Sequence, residues 1–216
     1  WSEGFASHSD SKLRAELRQL RLTFRRQGSK VGPDQRGRAL AALREAGSRA
    51  LGLRAYTVQL AGILGLHRGY LVEMATGEGK TLVAALAAVL EGWTGKPCHV
   101  VTVNDYLAQR DADRFAKLAD WAGLTVASVT GKTSPSERKN AYLADVVYTT
   151  SKELLADFLR DRILLGTASA SDRLALRQVS GAADRVARQV VQRGLHAAIV
   201  DEADSVLIDE AVTPLI

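Results

Sequence analysis

The sequence predicts an α/β fold: a parallel sheet flanked by helices, with two further helices ahead of it. Three observations carry the prediction. From Tyr70 onward, short β-prone runs alternate with helical stretches, the texture of βαβ units. Residues 10–51 instead place apolar side chains at helical spacing. Between these regions "MATGEGKT" (74–81) joins an apolar run to a helix-forming stretch through two glycines.

Taken in order, residues 10–27 read as a helix because Leu13, Leu17, Leu20 and Phe24 fall on one face and Gly28 follows as a stop. Arg14, Arg18, Arg21 and Arg25 repeat that spacing one residue later, a basic ridge about 100° round the helix. A second helix is expected from Asp34 to Leu51, between the Gly32-Pro33 break and Gly52. Strands are expected at Tyr70–Met74, His99–Val103, Thr125–Val129, Asp145–Thr149 and His196–Val200. Residues 79–91, 105–122, 135–143 and 151–161 supply the crossover helices, and 171–193 read as one longer helix capped by Gly194.

Composition bounds the class. A chain of 216 residues, 46% hydrophobic and 25% charged, can bury one sizeable core. Its 29 Lys and Arg against 24 Asp and Glu give a formal charge of +5, which suits an anionic partner without selecting one. Cys98 is the one cysteine, so an intramolecular disulfide is excluded, and a reducing, cytoplasmic compartment fits. The apolar run Leu82–Leu90 falls far short of the roughly 20 residues needed to span a bilayer. Trp1 and the terminal "TPLI" read as the edges of a fragment.

The glycine stretch carries the chemistry. After a strand and before a helix, Gly77 and Gly79 let the backbone turn so that successive N–H groups and the helix N-terminus face an anion. Lys80 then reaches the β- and γ-phosphates of a nucleotide and Thr81 ligates Mg²⁺. The strict G-x-x-x-x-G-K-[ST] pattern is missed, since Met74 holds its first glycine position. A second apolar strand, in "HAAIVDEAD" (196–204), delivers Asp201 and Glu202 at its C-terminal end, the edge where open α/β sheets bind ligands. Asp201 suits Mg²⁺, and Glu202 suits the attacking water. Upstream, the Gln59 amide offers one donor and one acceptor, a match for the N6/N7 edge of adenine.

Three blocks carry a family resemblance. "LREAGSRALGLRAYTVQLAGILGLHRGYLVEMATGEGKTLVAALAA", "HVVTVNDYLAQRDA" and "VDEADSVLIDEAVTPLI" resemble, in this order, segments of SecA, the ATPase that drives preproteins through a bacterial membrane channel. The resemblance implies a RecA-like P-loop motor domain of the helicase superfamily occupying 54–216, truncated at its C-terminal end, behind a helical segment 1–53. It implies ATP or ADP with Mg²⁺, Arg54 and Gln59 on the adenine side, Thr76, Gly77, Glu78, Gly79, Lys80 and Thr81 on the phosphates, and Asp201 and Glu202 for metal and water. Preprotein and a SecY-type channel are the implied partners, at the inner face of the cytoplasmic membrane, with no specific nucleic acid. The basic ridge suits anionic lipid. "TTS" (149–151) and Val212 depart from the family pattern and point to a divergent or accessory member.

Two other readings compete. Residues 201–204 spell Asp-Glu-Ala-Asp, as in RNA helicases, but "TVNDYLAQRD" stands where those proteins read Pro-Thr-Arg-Glu-Leu. A non-catalytic adenine-nucleotide-binding module is the third reading. The isolated stretch lacks a second lobe to supply arginines, so it is expected to bind nucleotide with little hydrolysis. The four histidines show no helical pairing that suits a metal, while Cys98, Trp93 and Trp121 read as packing.

Overall fold

The computed structural model describes residues 2–165 and 190–209. Helices α1 (Ser2–Ala6), α2 (Asp10–Gln27), α3 (Pro33–Leu51) and α4 (Thr57–His67) precede α5 (Lys80–Trp93). Strands β1 (Cys98–Thr102), β2 (Val126–Val129), β3 (Val146–Thr150) and β4 (Ala197–Val200) then alternate with α6 (Asp105–Ala122), α7 (Pro135–Ala141) and α8 (Ser151–Leu165). All pairings are parallel in the order β2-β3-β1-β4, with Val101 opposite both Thr149 and Val200. The α/β expectation holds.

Local signals explain most element ends. Ser9 caps α2 by accepting from Lys12 N–H, Asn104 caps α6 by accepting from Leu107 N–H, and Ser134 with Glu137 forms a capping box on α7. Gly52 and Gly123 end α3 and α6 in the left-handed conformation. β1 and β3 are buried along their whole length, as central parallel strands require.

The N-terminal helices and the sheet share one core. Leu13, Leu17, Leu20 and Phe24 are buried in the same cluster as Trp93, Val100, Phe115 and Tyr148. Phe24 meets the Trp93 ring edge-on at 5.5 Å, and the Trp93 indole donates to Ala122 O at 2.9 Å. Burying each such side chain contributes about 1.5–3 kcal/mol, whereas an exposed ion pair adds about 0–1 kcal/mol. Apolar contact therefore fixes α2, and the buried side chains of α2 and α3 belong to the same core as the sheet.

The basic ridge is turned partly inward. Arg14 pairs with Asp120 at 2.9 Å and lies 4.4 Å over the Trp121 ring, while Arg21 approaches Asp145 at 3.9 Å. Two of its four arginines thus serve a seam with the sheet layer.

Three further expectations need correction or completion. Residues 70–74 form no strand: Val72 and Met74 pack on Gly62 and Gly65 of α4, while Leu71 is 88% exposed. A Cβ on Gly65 would sit 2.9 Å from the Val72 side chain, so the alternation that reads as a strand is satisfied by glycine notches in a helix. Helix α4 was not anticipated, because its apolar, glycine-bearing sequence has no clear polar face. Of the long helix expected at 171–193, residues 190–193 are non-helical and the rest lies outside the described residues. Asp161 accepts from Val191 N–H and Gln192 N–H, Gln192 donates to Leu154 O, and Arg193 donates to Tyr142 O and Ala144 O. These bonds hold the segment extended as it enters β4.

Candidate functional site

The phosphate-loop residues form a turn that opens α5. Glu78 N–H bonds Ala75 O, and Leu82 N–H and Val83 N–H bond Gly79 O. Gly77 and Gly79 adopt φ of 88° and 81°, a region in which a side chain is strained. Gly79 is the N-cap of α5, so Lys80 and Thr81 occupy the first helical turn, where unpaired N–H groups and the helix dipole favour an anion. Thr76, Gly77 and Glu78 are exposed, as a cradle for a solvent-borne phosphate requires.

Gln59 stands behind this turn, buried to 6% exposure. Its Oε1 accepts from Tyr56 N–H at 2.8 Å and its Nε2 donates to Glu78 O at 2.6 Å. Both amide functions expected to meet adenine are engaged within the chain, so in this structure Gln59 braces the phosphate loop. Arg54 is exposed.

Asp201 follows β4 at the carboxyl edge of the sheet, and its N–H bonds Val101 O of the neighbouring strand. Burial raises the Asp201 carboxyl above the usual range; the Glu202 and Asp111 charges push it the same way, and a Glu202 backbone bond and Lys80 oppose them. Glu202 adopts φ 55°, the one non-glycine residue among those described with a left-handed backbone. Such a conformation costs about 1–3 kcal/mol and clusters at functional sites. Asp204, in the same acidic run, is exposed.

Asp111 is the residue the sequence reading missed. It is 5% exposed on α6, and its Oδ1 accepts from the Arg110 guanidinium at 2.9 and 2.8 Å. With Gly79, Thr81 and Tyr148 it lines a cavity of about 260 Å³ beside the phosphate loop. The signal was present: Asp111 stands in the helical register of buried Ala108, Ala112, Phe115 and Leu118, where a carboxylate is out of place unless it has work to do.

The donor set fits a divalent cation shared with phosphates. Among the described residues no three His, Cys, Asp or Glu side chains converge as a metal cage. Mg²⁺ is characteristically held by one or two protein oxygens together with substrate phosphates, which Thr81 and Asp201 can supply. The crowded carboxylates around Asp201 are the environment that a cation relieves.

Residues 1–216 match the family described as the SecA DEAD-like domain. The chain belongs to that family. This decides between the SecA-like and RNA-helicase readings of the acidic motif, and it places the α/β sheet in the helicase RecA-like superfamily. Curated relatives include "Protein translocase subunit SecA 2" of Magnetococcus marinus, 47% identical over 96% of this chain and 32% of the relative. The protein of the same name from Chlorobium chlorochromatii is 52% identical over 94% of this chain and 30% of the relative. "Protein translocase subunit SecA" of Rippkaea orientalis is 49% identical over 82% of this chain and 17% of the relative. The chain thus spans less than a third of the length of these SecA relatives. No helix among the described residues is long and apolar enough to cross a membrane.

Proposed function

We propose that this chain is the ATP-binding part of a SecA-type motor that couples ATP hydrolysis to preprotein translocation. The observation that carries the reading is the turn through left-handed Gly77 and Gly79 that opens α5 at Lys80, in a chain whose β4 delivers Asp201 at the carboxyl edge of the sheet. The two motifs stand 121 positions apart in sequence, and the reading brings them together around one nucleotide. Backbone N–H groups from Thr76 to Gly79 hold the phosphates, and Lys80 neutralises the β- and γ-oxygens. Thr81 and Asp201 hold Mg²⁺, which when bound supplies charge neutralisation along the phosphate chain. Glu202 orients the attacking water and takes its proton. Arg54 and Gln59 lie on the adenine side.

A SecY-type channel and a preprotein are the partners this reading assigns, at the inner face of the cytoplasmic membrane. Two-lobed motors receive arginines from a second lobe, worth on the order of 10³-fold or more in related phosphoryl transfer. The 216-residue chain is therefore expected to bind nucleotide and turn it over slowly. Titration with fluorescent ADP, with and without Mg²⁺, tests the binding reading. Lys80→Ala should abolish binding, and Glu202→Gln should leave binding intact while removing residual hydrolysis. Equal affinity in wild type and Lys80→Ala would refute it.

A further inference from the structure

Asp111 is a buried charge that the phosphate loop and the acidic strand end leave without a role. Its carboxylate is 5% exposed on α6 and, with Gly79 and Thr81, lines the cavity of about 260 Å³, which has room for several waters. Oδ1 is engaged by the Arg110 guanidinium. Oδ2 accepts no hydrogen bond among the described residues, and it is not sealed from solvent. The Thr81 hydroxyl is in the same situation, without a partner among the described residues and not sealed. A carboxylate only accepts and a hydroxyl can donate, so a water between them satisfies both.

A structural ion pair is the simpler account of a buried carboxylate, and the geometry argues against it. Neighbours at i and i+1 do not share a helix face, and the Arg110 side chain is 46% exposed. A pair so open to water recovers less than burying the carboxylate costs. Arg114 lines the same cavity three positions on, yet makes no ion pair with Asp111 among the described residues. Direct ligation of a metal is also a poor fit, because Asp111 forms no three-carboxylate cage with Asp201 and Glu202. What remains is the shell behind the ligands. Groups that ligate a cation are oriented by such outer hydrogen bonds.

We propose that Asp111 is a positioning residue for the divalent cation. Through a water held in the cavity, its Oδ2 draws the proton side of the Thr81 hydroxyl, which leaves the hydroxyl lone pairs for the cation. The inference rests on the nucleotide reading of the loop and gives that site a residue which none of its motifs contains.

The test uses the full chain with ADP and with Mn²⁺ as the probe, free Mn²⁺ being read by electron paramagnetic resonance. Asp111→Asn should weaken Mn²⁺ binding to the ADP complex by about 10–100-fold and leave ADP affinity in EDTA unchanged. Unchanged Mn²⁺ affinity, or equal losses of ADP affinity with and without the cation, overturns the proposal. Added to Thr81→Val, Asp111→Asn should bring no further loss, whereas additive losses show that Asp111 does not act through Thr81. Arg110→Gln keeps the carboxylate and should leave Mn²⁺ affinity unchanged; if it reproduces the loss, the ion pair is the cause and the proposal fails.

Should Asp111→Asn not melt cooperatively, wild-type crystals grown with Mn²⁺ and ADP decide. A water bonded to both Asp111 Oδ2 and Thr81 Oγ1 supports the assignment, and its absence overturns it. ADP binding in EDTA that survives in these variants and is lost in Lys80→Ala keeps the nucleotide reading standing even where this inference fails.

Discussion

Gln59 Nε2 donates to Glu78 O at 2.6 Å, tying the side chain expected to read the base directly to the loop expected to hold the phosphates. Adenine presents an acceptor at N7 and a donor at N6, the complements of the two functions that Gln59 now spends on Glu78 O and Tyr56 N–H. Base binding and loop bracing therefore compete for one amide. Gln59→Glu removes the donor, so ATP affinity should fall by about tenfold while GTP affinity changes less. Equal losses for ATP, GTP and inorganic triphosphate would show that Gln59 acts as a brace alone.

Gly79 tests the same contact from the other side. A Cβ there would sit 2.5 Å from Gln59 Nε2, on a backbone with φ of 81°. Gln59 cannot withdraw without losing its bond to Glu78 O. Gly79→Ala should cost about 1–3 kcal/mol, the scale of a strained left-handed residue, and should weaken nucleotide binding beyond detection. Thermal unfolding and ADP titration measure the two effects; a variant of unchanged stability would show that the turn relaxes without strain.

Asp201 gives a pH dependence of fixed sign. Its carboxyl titrates above the ordinary value of 3.8, chiefly through burial and then through the Glu202 and Asp111 charges. The folded state therefore binds this proton more tightly than the unfolded chain, and stability falls as pH rises from about 3.8 through the folded value. At neutral pH the ionised carboxylate lowers the stability of the fold. Asp201→Asn should raise the melting temperature there, and the two proteins should converge in acid. It should also lose the Mg²⁺-dependent part of nucleotide binding. A lower melting temperature for the variant at neutral pH would contradict the assigned sign.

Much of this arrangement was legible before any coordinates, for identifiable reasons. The α2 face of Leu13, Leu17, Leu20 and Phe24, and the apolar strands around Val100 and Val147, announce themselves because burial imposes a period. The turn at Gly77 and Gly79 is readable because few residues other than glycine accept its backbone. What escaped reading depends on partners in other elements. Residues 70–74 have a strand's alternation, yet it is met by Gly62 and Gly65 of an unforeseen helix. Gln59 looked available because nothing in its neighbourhood shows that Glu78 O lies within reach. Arg14 and Arg21 looked solvated because Asp120 and Asp145 lie more than a hundred residues away.

The approach to β4 offers a test of how the acidic motif is held in place. Asp161 is 5% exposed, and its two oxygens accept from Val191 N–H at 3.0 Å and Gln192 N–H at 2.9 Å. Asp161→Ala removes both acceptors from a buried setting, so the expected loss is about 2–6 kcal/mol, summing roughly 1–3 kcal/mol for each orphaned donor. Part of that loss should be local. The segment 190–196 leads directly into β4 and thence to Asp201, so hydrogen exchange at Val191 and Gln192 should accelerate well beyond that at β1 and β3. Nucleotide affinity should fall with it, since Asp201 and Glu202 lose their anchored lead-in. If exchange instead rises evenly across the four strands, Asp161 supports the domain as a whole, and the position of the acidic motif is set by its pairing to β1 alone.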